Sequence, residues 1–425
     1  MADRERKYLL MDQNIDLARY IRSGDTIMWG QSHAEPSTLV ARLIEQRSEL
    51  GRLRVFLGIS LGGQLSPEHA DHFDFVGYGG GGTNRRLAEA GVLDILPGHY
   101  SRLPHLIRSG SLKIDVLFLQ VPPPNAQGYY SLGMAREYLV EAVSTARVII
   151  GEVHPDAPWT FGGPYLKKED FALLIDSKST LLSTQPSAAS PVEDGIGRNV
   201  ASLIEDGATI QTGIGSIPDA ALSFLHDRRD LGVHTGSIGD KMIALQESGA
   251  VTNSRKSIDP GLTVGGVIMA GPEGRKFAHL NPLIELRGTG YTHDPQVLGR
   301  IKNFVALNSA IEVDLTGQIN SEMVGHRYVG AVGGIIDFLR AAGSSEGGVP
   351  IVALPSTAGS KSRIVSRLSG PVSVSRAESC VIVTEHGIAD LRGLTLRERV
   401  QHMLQIAHPD HREALDRQLR EGLTA

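Results

Sequence analysis

Two stretches hold the residue types best suited to chemistry, Gln211-Thr-Gly-Ile-Gly-Ser-Ile-Pro-Asp219 and His234-Thr-Gly-Ser-Ile-Gly-Asp240. In the first, apolar Ala208 and Ile210 run into Gly213 and Gly215. Pro218 and Asp219 then open a helical apolar pattern of Ala220, Ala221, Leu222 and Leu225. That order predicts a strand, a tight turn and a helix start. Two glycines let a ligand approach the main chain, and a helix start favours an anionic oxygen, so the chemistry suited to this turn is phosphate or thioester-oxyanion binding. A lone Gly-x-Gly is also an ordinary connection between strand and helix.

The elements that must position these residues follow from the whole chain. Its 425 residues exceed one ordinary core, so two domains are expected. Apolar content of 41% and charged content of 21% are those of a folded globular protein. A net charge of −5 argues against a nucleic-acid partner. Cys380 is the only cysteine, which excludes an intrachain disulfide and fits a reducing cytoplasm. The start, Met1–Lys7, lacks the apolar core of a signal peptide, and no apolar run is long enough to suggest a membrane span.

The first half reads as alternating strands and helices: helical spacing over 15–23, a buried strand Thr26–Trp29, then a helix carrying Leu39, Val40, Leu43 and Ile44. Gly24–Gly30 aligns with Gly207–Gly213, and Pro36 and Pro218 stand at matching places before an apolar helix. A weaker echo links Asp115–Val121 to Phe304–Asn308, and together the two suggest a duplicated domain. Arg54–Gly58, Val148–Val153, Leu262–Met269, Phe304–Leu307, Pro350–Leu354 and Cys380–Thr384 are apolar runs expected as buried parallel strands. Asp74–Gly82 reads as a flexible glycine turn without dinucleotide spacing, and no Gly-x-x-x-x-Gly-Lys-Ser/Thr phosphate loop occurs. The Ser-, Pro- and Ala-rich residues 184–197 are the expected linker, dividing the chain into 1–187 and 188–425. The tail from Leu396 to Leu419 predicts a helix pair broken at His408-Pro409.

Several segments, in order along nearly the whole chain, resemble the acetyl-CoA hydrolase/transferase family of CoA-transferases. They are Val121–Gly133, Gln211–Asp219, Asn308–Gln318, Gly333–Phe338, Ala353–Thr357, Thr384–Gly393 and Ile406–Asp410. The resemblance implies an α/β fold of two tandem, duplicated domains with mainly parallel open sheets and the active site between them. It also implies an acyl-CoA partner and a small carboxylic acid, with coenzyme A supplied as acyl-CoA. No His, Asp or Glu set has metal-ligand spacing and no dinucleotide fingerprint occurs, so neither a metal nor a nicotinamide cofactor is expected. A homo-oligomer is expected. In the family's chemistry a glutamate attacks the thioester, and CoA then passes through a glutamyl thioester to a second acid.

That glutamate follows His-Thr in the family, whereas His234-Thr235 is followed here by Gly236. Glu35 and Glu247 are the alternative carboxylates. Hydrolysis, CoA-dependent cleavage or a non-catalytic CoA-binding role are the other readings, and itaconate or succinate are candidate acids. The resemblance assigns Gly213, Ile214, Gly215, Ser216 and Ile217 to the CoA and thioester loop, and Gly333 and Gly334 to a second close turn. Asn308 and Gln318 either orient the ligand or satisfy buried backbone. Lys361 and Arg363 either meet CoA phosphates or form surface ion pairs. His386 and His408 read as structural, and His234 as a core residue or a base.

Overall fold

The structure is a computed structural model describing residues 15–183 and 188–422. Met1–Lys7 and residues 184–187 of the expected linker lie outside the described residues.

Each half is built on an open sheet. The first has seven parallel strands in the order Leu93–Ile95, Phe73–Gly77, Leu53–Leu57, Thr26–Trp29, Val116–Val121, Val148–Val153, Leu173–Asp176. The second has six, in the order Gly387–Asp390, Val381–Thr384, Val349–Ala353, Phe304–Ser309, Thr209–Thr212, Gly232–Val233, and only the Gly387–Asp390 edge runs antiparallel. The continuous apolar runs are what burial on both sheet faces demands: all six residues of Val116–Val121 are buried.

The duplication is visible in this topology. Thr26–Trp29 and Thr209–Thr212 are the first sheet strands of their halves, and each lies beside the point where strand order reverses. Gly24 and Gly207 precede them with φ of 88° and 78°, a left-handed turn that glycine adopts without strain. Across the reversal, Val116–Val121 pairs with the first strand and Phe304–Ser309 with its counterpart, so the weaker sequence echo also joins equivalent strands.

The halves are joined by backbone. Arg136 N donates to Gly266 O at 2.9 Å and Ile268 N to Met134 O at 2.8 Å. Gly80 N donates to Gly330 O and Tyr100 N to Gly333 O, each at 2.9 Å. One apolar cluster runs from Met28 and Leu117 through Ala135 and Val267 to Ile210 and Leu307.

Four sequence expectations change. Residues 15–23 hold only a short 3-10 turn, Leu17–Arg19, because Arg22 N turns back to Asp25 Oδ2 at 2.7 Å. Residues 262–269 are two strands, Thr263–Gly265 and Val267–Met269, that pair with different neighbours. The turn expected over residues 74–82 begins as the strand Phe73–Gly77, and its glycines are packed: a Cβ on Gly79 would lie 2.7 Å from Gly330 O. The linker is shorter than 184–197, since Ser190 caps the helix Pro191–Ala201 by accepting from Glu193 N. The tail forms the expected pair, Leu396–Ile406 and Pro409–Gly422.

Candidate active site

Both sheets point their carboxyl ends into one cleft of about 290 Å³. In open parallel sheets the order reversal leaves a crevice at that end, and here two such crevices face each other. The first half contributes Gln31, Ile59, Tyr78, Tyr100 and Glu137. The second contributes Gly213, Ile214, Gly236, His293, Asn308, Gly333, Gly334 and Phe338, among others.

Glu137 is the buried charge of this cleft, only 4% exposed. Its φ of 37° lies in the left-handed region, a cost of about 1 kcal/mol for a residue with a side chain. The second half holds it there, for Thr289 N donates to Glu137 O at 3.1 Å. Carboxylate Oε1 accepts from Gln31 Nε2 at 2.7 Å and Tyr100 Oη at 3.0 Å, while buried Oε2 has no partner. Burial pushes the carboxyl up to about 7 against the opposing pull of those two hydrogen bonds.

Gln31 can serve because its own carbonyl is pinned. Gln31 Oε1 accepts from Ile59 N at 2.9 Å and Tyr78 Oη at 2.5 Å, which turns its amide towards Glu137. Space for this comes from Gly58, where a Cβ would lie 2.6 Å from Gln31 Oε1. The phenols of Tyr78, Tyr100 and Tyr138 are raised by burial, so this network is neutral apart from the carboxylate.

Gly236 lies beside this group. A Cβ on Gly266 would sit 2.9 Å from Gly236 O and 3.1 Å from Glu137 Cγ, which puts those two atoms within about 6 Å of each other. A Cβ on Gly236 itself would meet His293 at 3.2 and 3.3 Å, and one on Gly334 would meet His293 Nε2 at 2.7 Å. The imidazole is therefore seated between two glycines, with Nδ1 against Thr292 Oγ1 at 2.9 Å. Burial pushes His293 down to about 3, so it is a neutral ring near neutral pH.

Of the residues singled out in the sequence, Gly213, Ile214, Gly236, Asn308, Gly333 and Gly334 line the cleft. Gly213 N is not free, since it extends the sheet by donating to Leu307 O at 2.7 Å. Ile214 is 52% exposed, Ser216 Oγ binds Glu193 Oε1, and Ile217 is buried on the inner face of the helix Ser216–Leu222, which starts before Pro218. Gly215 has φ 134° and makes the bend. Asn308 and Gln211 pair through their amides at 3.0 and 3.4 Å.

The remaining candidates lie outside the cleft lining. Gln318 is tied to Asp314 Oδ2 at 2.6 Å in a turn. Lys361 is exposed and Arg363 half-buried near a two-residue hairpin. Glu247 is exposed at the end of the helix Asp240–Glu247. Glu35 is buried, with Oε1 accepting from Leu61 N and, at 3.1 Å, Gly62 N, and Oε2 accepting from Ser60 Oγ at 3.1 Å. His234 is buried, its Nε2 facing Thr292 O at 3.2 Å, and burial pushes it down to about 3. Among the described residues no group of three or more His, Cys, Asp or Glu could hold a metal ion, and no helix is long and apolar enough to cross a membrane.

Sequence reasoning missed Glu137, Gln31, Tyr78, Tyr100 and His293. Tyr78 lay inside the expected turn at 74–82 and Gln31 followed the repeat ending at Gly30, while for Glu137 the nearest signal, Val121–Gly133, stops four residues short.

Comparison with known proteins places the chain in a family. The acetyl-CoA hydrolase/transferase N-terminal domain matches residues 2–166, and the acetyl-CoA hydrolase/transferase C-terminal domain matches residues 275–419. The chain is 36% identical to the 4-hydroxybutyrate coenzyme A transferase of Clostridium kluyveri over 93% of this chain and 94% of that protein. The crystal structure of RipA from Yersinia pestis superposes with a TM-score of 0.91 at 31% identity, covering 96% of both chains. That of 4-hydroxybutyrate CoA-transferase from Porphyromonas gingivalis does so with a TM-score of 0.82 at 33% identity, covering 95% of both. By sequence along both halves and by fold, this chain belongs to the acetyl-CoA hydrolase/transferase family.

Proposed function

We propose that this protein moves coenzyme A from an acyl-CoA to a small carboxylic acid, with a dicarboxylate such as succinate or itaconate among the acceptors. The observation that carries the reading is the cleft itself, in which a buried carboxylate with one unpartnered oxygen faces the glycine turns at Gly213 and Gly333–Gly334. A volume of about 290 Å³ suits a short acyl chain and its thioester, and leaves the nucleotide end of CoA outside. The turns from Gly213 to Ile217 and at Gly333–Gly334 are the proposed thioester- and CoA-binding segments, with Asn308 beside them. The 4-hydroxybutyrate relatives support an organic acid as acceptor.

The test is to incubate the protein with acyl-CoA and a panel of acids and follow new thioesters by mass. A new acid–CoA product is expected. Free CoA without any new thioester overturns transfer and supports hydrolysis, the second reading, in which the unpartnered Glu137 oxygen takes a proton from water. The proposed setting is cytoplasmic, as the single cysteine suits, and the assembly a homo-oligomer, which light scattering in solution would measure.

A further inference from the structure

We propose that Glu137 is the nucleophile of this enzyme, acting from the first half of the chain beside Gly236. The proposal rests on the CoA-transfer reading and deepens it. Among the described residues lining the cleft, Glu137 is the only carboxylate. A CoA-transferring carboxylate must be fixed enough to meet a thioester and yet keep one oxygen free to attack it. Glu137 meets both conditions, with Oε1 held by Gln31 and Tyr100 and Oε2 unpartnered.

Its place is the second argument. The family resemblance expects a glutamate at position 236, and the Glu137 Cγ lies within about 6 Å of the Gly236 carbonyl oxygen, both flanking the space a side chain on Gly266 would fill. A Cβ at position 236 would stand 3.2 Å from His293, so a side chain there requires the ring to give way by a few tenths of an ångström. One wall of the cleft thus carries glycine where the resemblance expects a carboxylate, while the adjoining wall presents one. The competing glutamates do not serve: both Glu35 oxygens are occupied, and Glu247 is exposed outside the cleft. A left-handed backbone at a residue with a long side chain is the kind of strain that persists where position matters.

The steps balance without any further reactant. Glu137 Oε2 attacks the acyl-CoA carbonyl, a C–O bond forms, the C–S bond breaks, and CoA leaves as thiolate from a mixed anhydride. The thiolate attacks the glutamyl carbonyl, a C–S bond forms, and the donor acid leaves as carboxylate. The acceptor carboxylate then displaces CoA from the glutamyl thioester, and the thiolate attacks the acceptor's acyl carbon in the new anhydride. That last step releases Glu137 as carboxylate, so no net proton is taken up.

The test traps the glutamyl thioester. Wild-type protein is incubated with butyryl-CoA or succinyl-CoA without acceptor, reduced with borohydride, digested and mapped by mass. The reduced glutamyl residue is expected in the peptide holding Glu137 and nowhere in E137Q, whose exchange rate falls at least about 10³-fold. A mark on another carboxylate, or E137Q exchanging within tenfold of wild type, overturns Glu137 and leaves transfer standing. A mark on Glu137 with no exchange to any acid keeps the nucleophile and overturns transfer. Absence of any mark overturns the nucleophile whether or not exchange persists.

Discussion

The turns that follow the first sheet strand in each half occupy the same place in their sheets and meet opposite surroundings. Gly30–Pro36 is buried throughout, whereas in Gly213–Ser216 Ile214 is 52% exposed and its two neighbours on the helix side are open. The buried turn supplies side chains, Gln31 to the cleft and Glu35 to the backbone of Leu61 and Gly62. The open turn supplies main chain and room. The repeated topology therefore carries buried polar side chains at this turn in one half and an open glycine turn in the other.

The same contrast separates two buried glutamates of the first half. Burial pushes both Glu35 and Glu137 up to about 7. Glu35 has every oxygen occupied and reads as a structural clamp, whereas Glu137 keeps one oxygen bare. Equal titration with unequal bonding is a reminder that a raised carboxyl marks burial first and function only through geometry.

The strongest way to break this contrast is E137Q, which should lose exchange by the factor given above while its melting temperature stays within a few degrees of wild type. Next is Gln31→Leu, which removes a donor to the ionised Glu137 and should slow exchange about 10- to 100-fold. Exchange in wild type should rise as pH passes about 7, where Glu137 ionises. Tyr78, Tyr100, Tyr138 and His293 face this region and stay neutral there. Glu35 is raised to the same range, so the limb should persist in Glu35→Gln if it belongs to Glu137. In Gln31→Leu the limb should move to higher pH, because the lost hydrogen bond favoured the charged form; an unmoved limb would assign it elsewhere.

Glu35→Ala should cost about 2 kcal/mol in denaturant unfolding by stranding the amides of Leu61 and Gly62, with exchange changed less than about threefold. The pH dependence has a definite sign. Glu35 is raised from 4.5 to about 7 on folding, so its contribution is fully present below 4.5 and is lost as pH rises through about 7. Glu35→Gln should flatten that loss relative to wild type. Gly236→Ala should cost about 1 kcal/mol, since its methyl would meet His293 at 3.2 Å; no change in melting would show that the ring moves freely. The smallest effect is expected for Glu247→Ala, under about 0.5 kcal/mol and without change in exchange.

Much of the scaffold was legible in the sequence because it depends on local pattern. Continuous apolar runs mark strands buried on both faces, and shared glycine and proline punctuation exposed the repeat. That punctuation located Gly213, and the family resemblance pointed to Gly236 and Gly333–Gly334; all four line the cleft. Helical spacing over 15–23 misled, since a short segment can bury Leu17 and Ile21 from a 3-10 turn as well as from a helix. Asn308 reached the cleft and Gln318 did not, although both belong to one segment, because Gln318 folds back onto Asp314.

The sequence alone determined the two-sheet α/β architecture, the duplication and the glycine turns, all of which follow from residue types a few positions apart. Only the tertiary structure decided which carboxylate faces the cleft. Gln31 and Glu137 are 106 residues apart, and Gly236 comes from the other half of the chain. Their convergence depends on two sheets aligning their carboxyl ends, on glycines at 58 and 266 leaving space, and on Thr289 holding the backbone of Glu137. No local spacing encodes such a meeting, since burial and an unpartnered oxygen are properties of the assembled cleft.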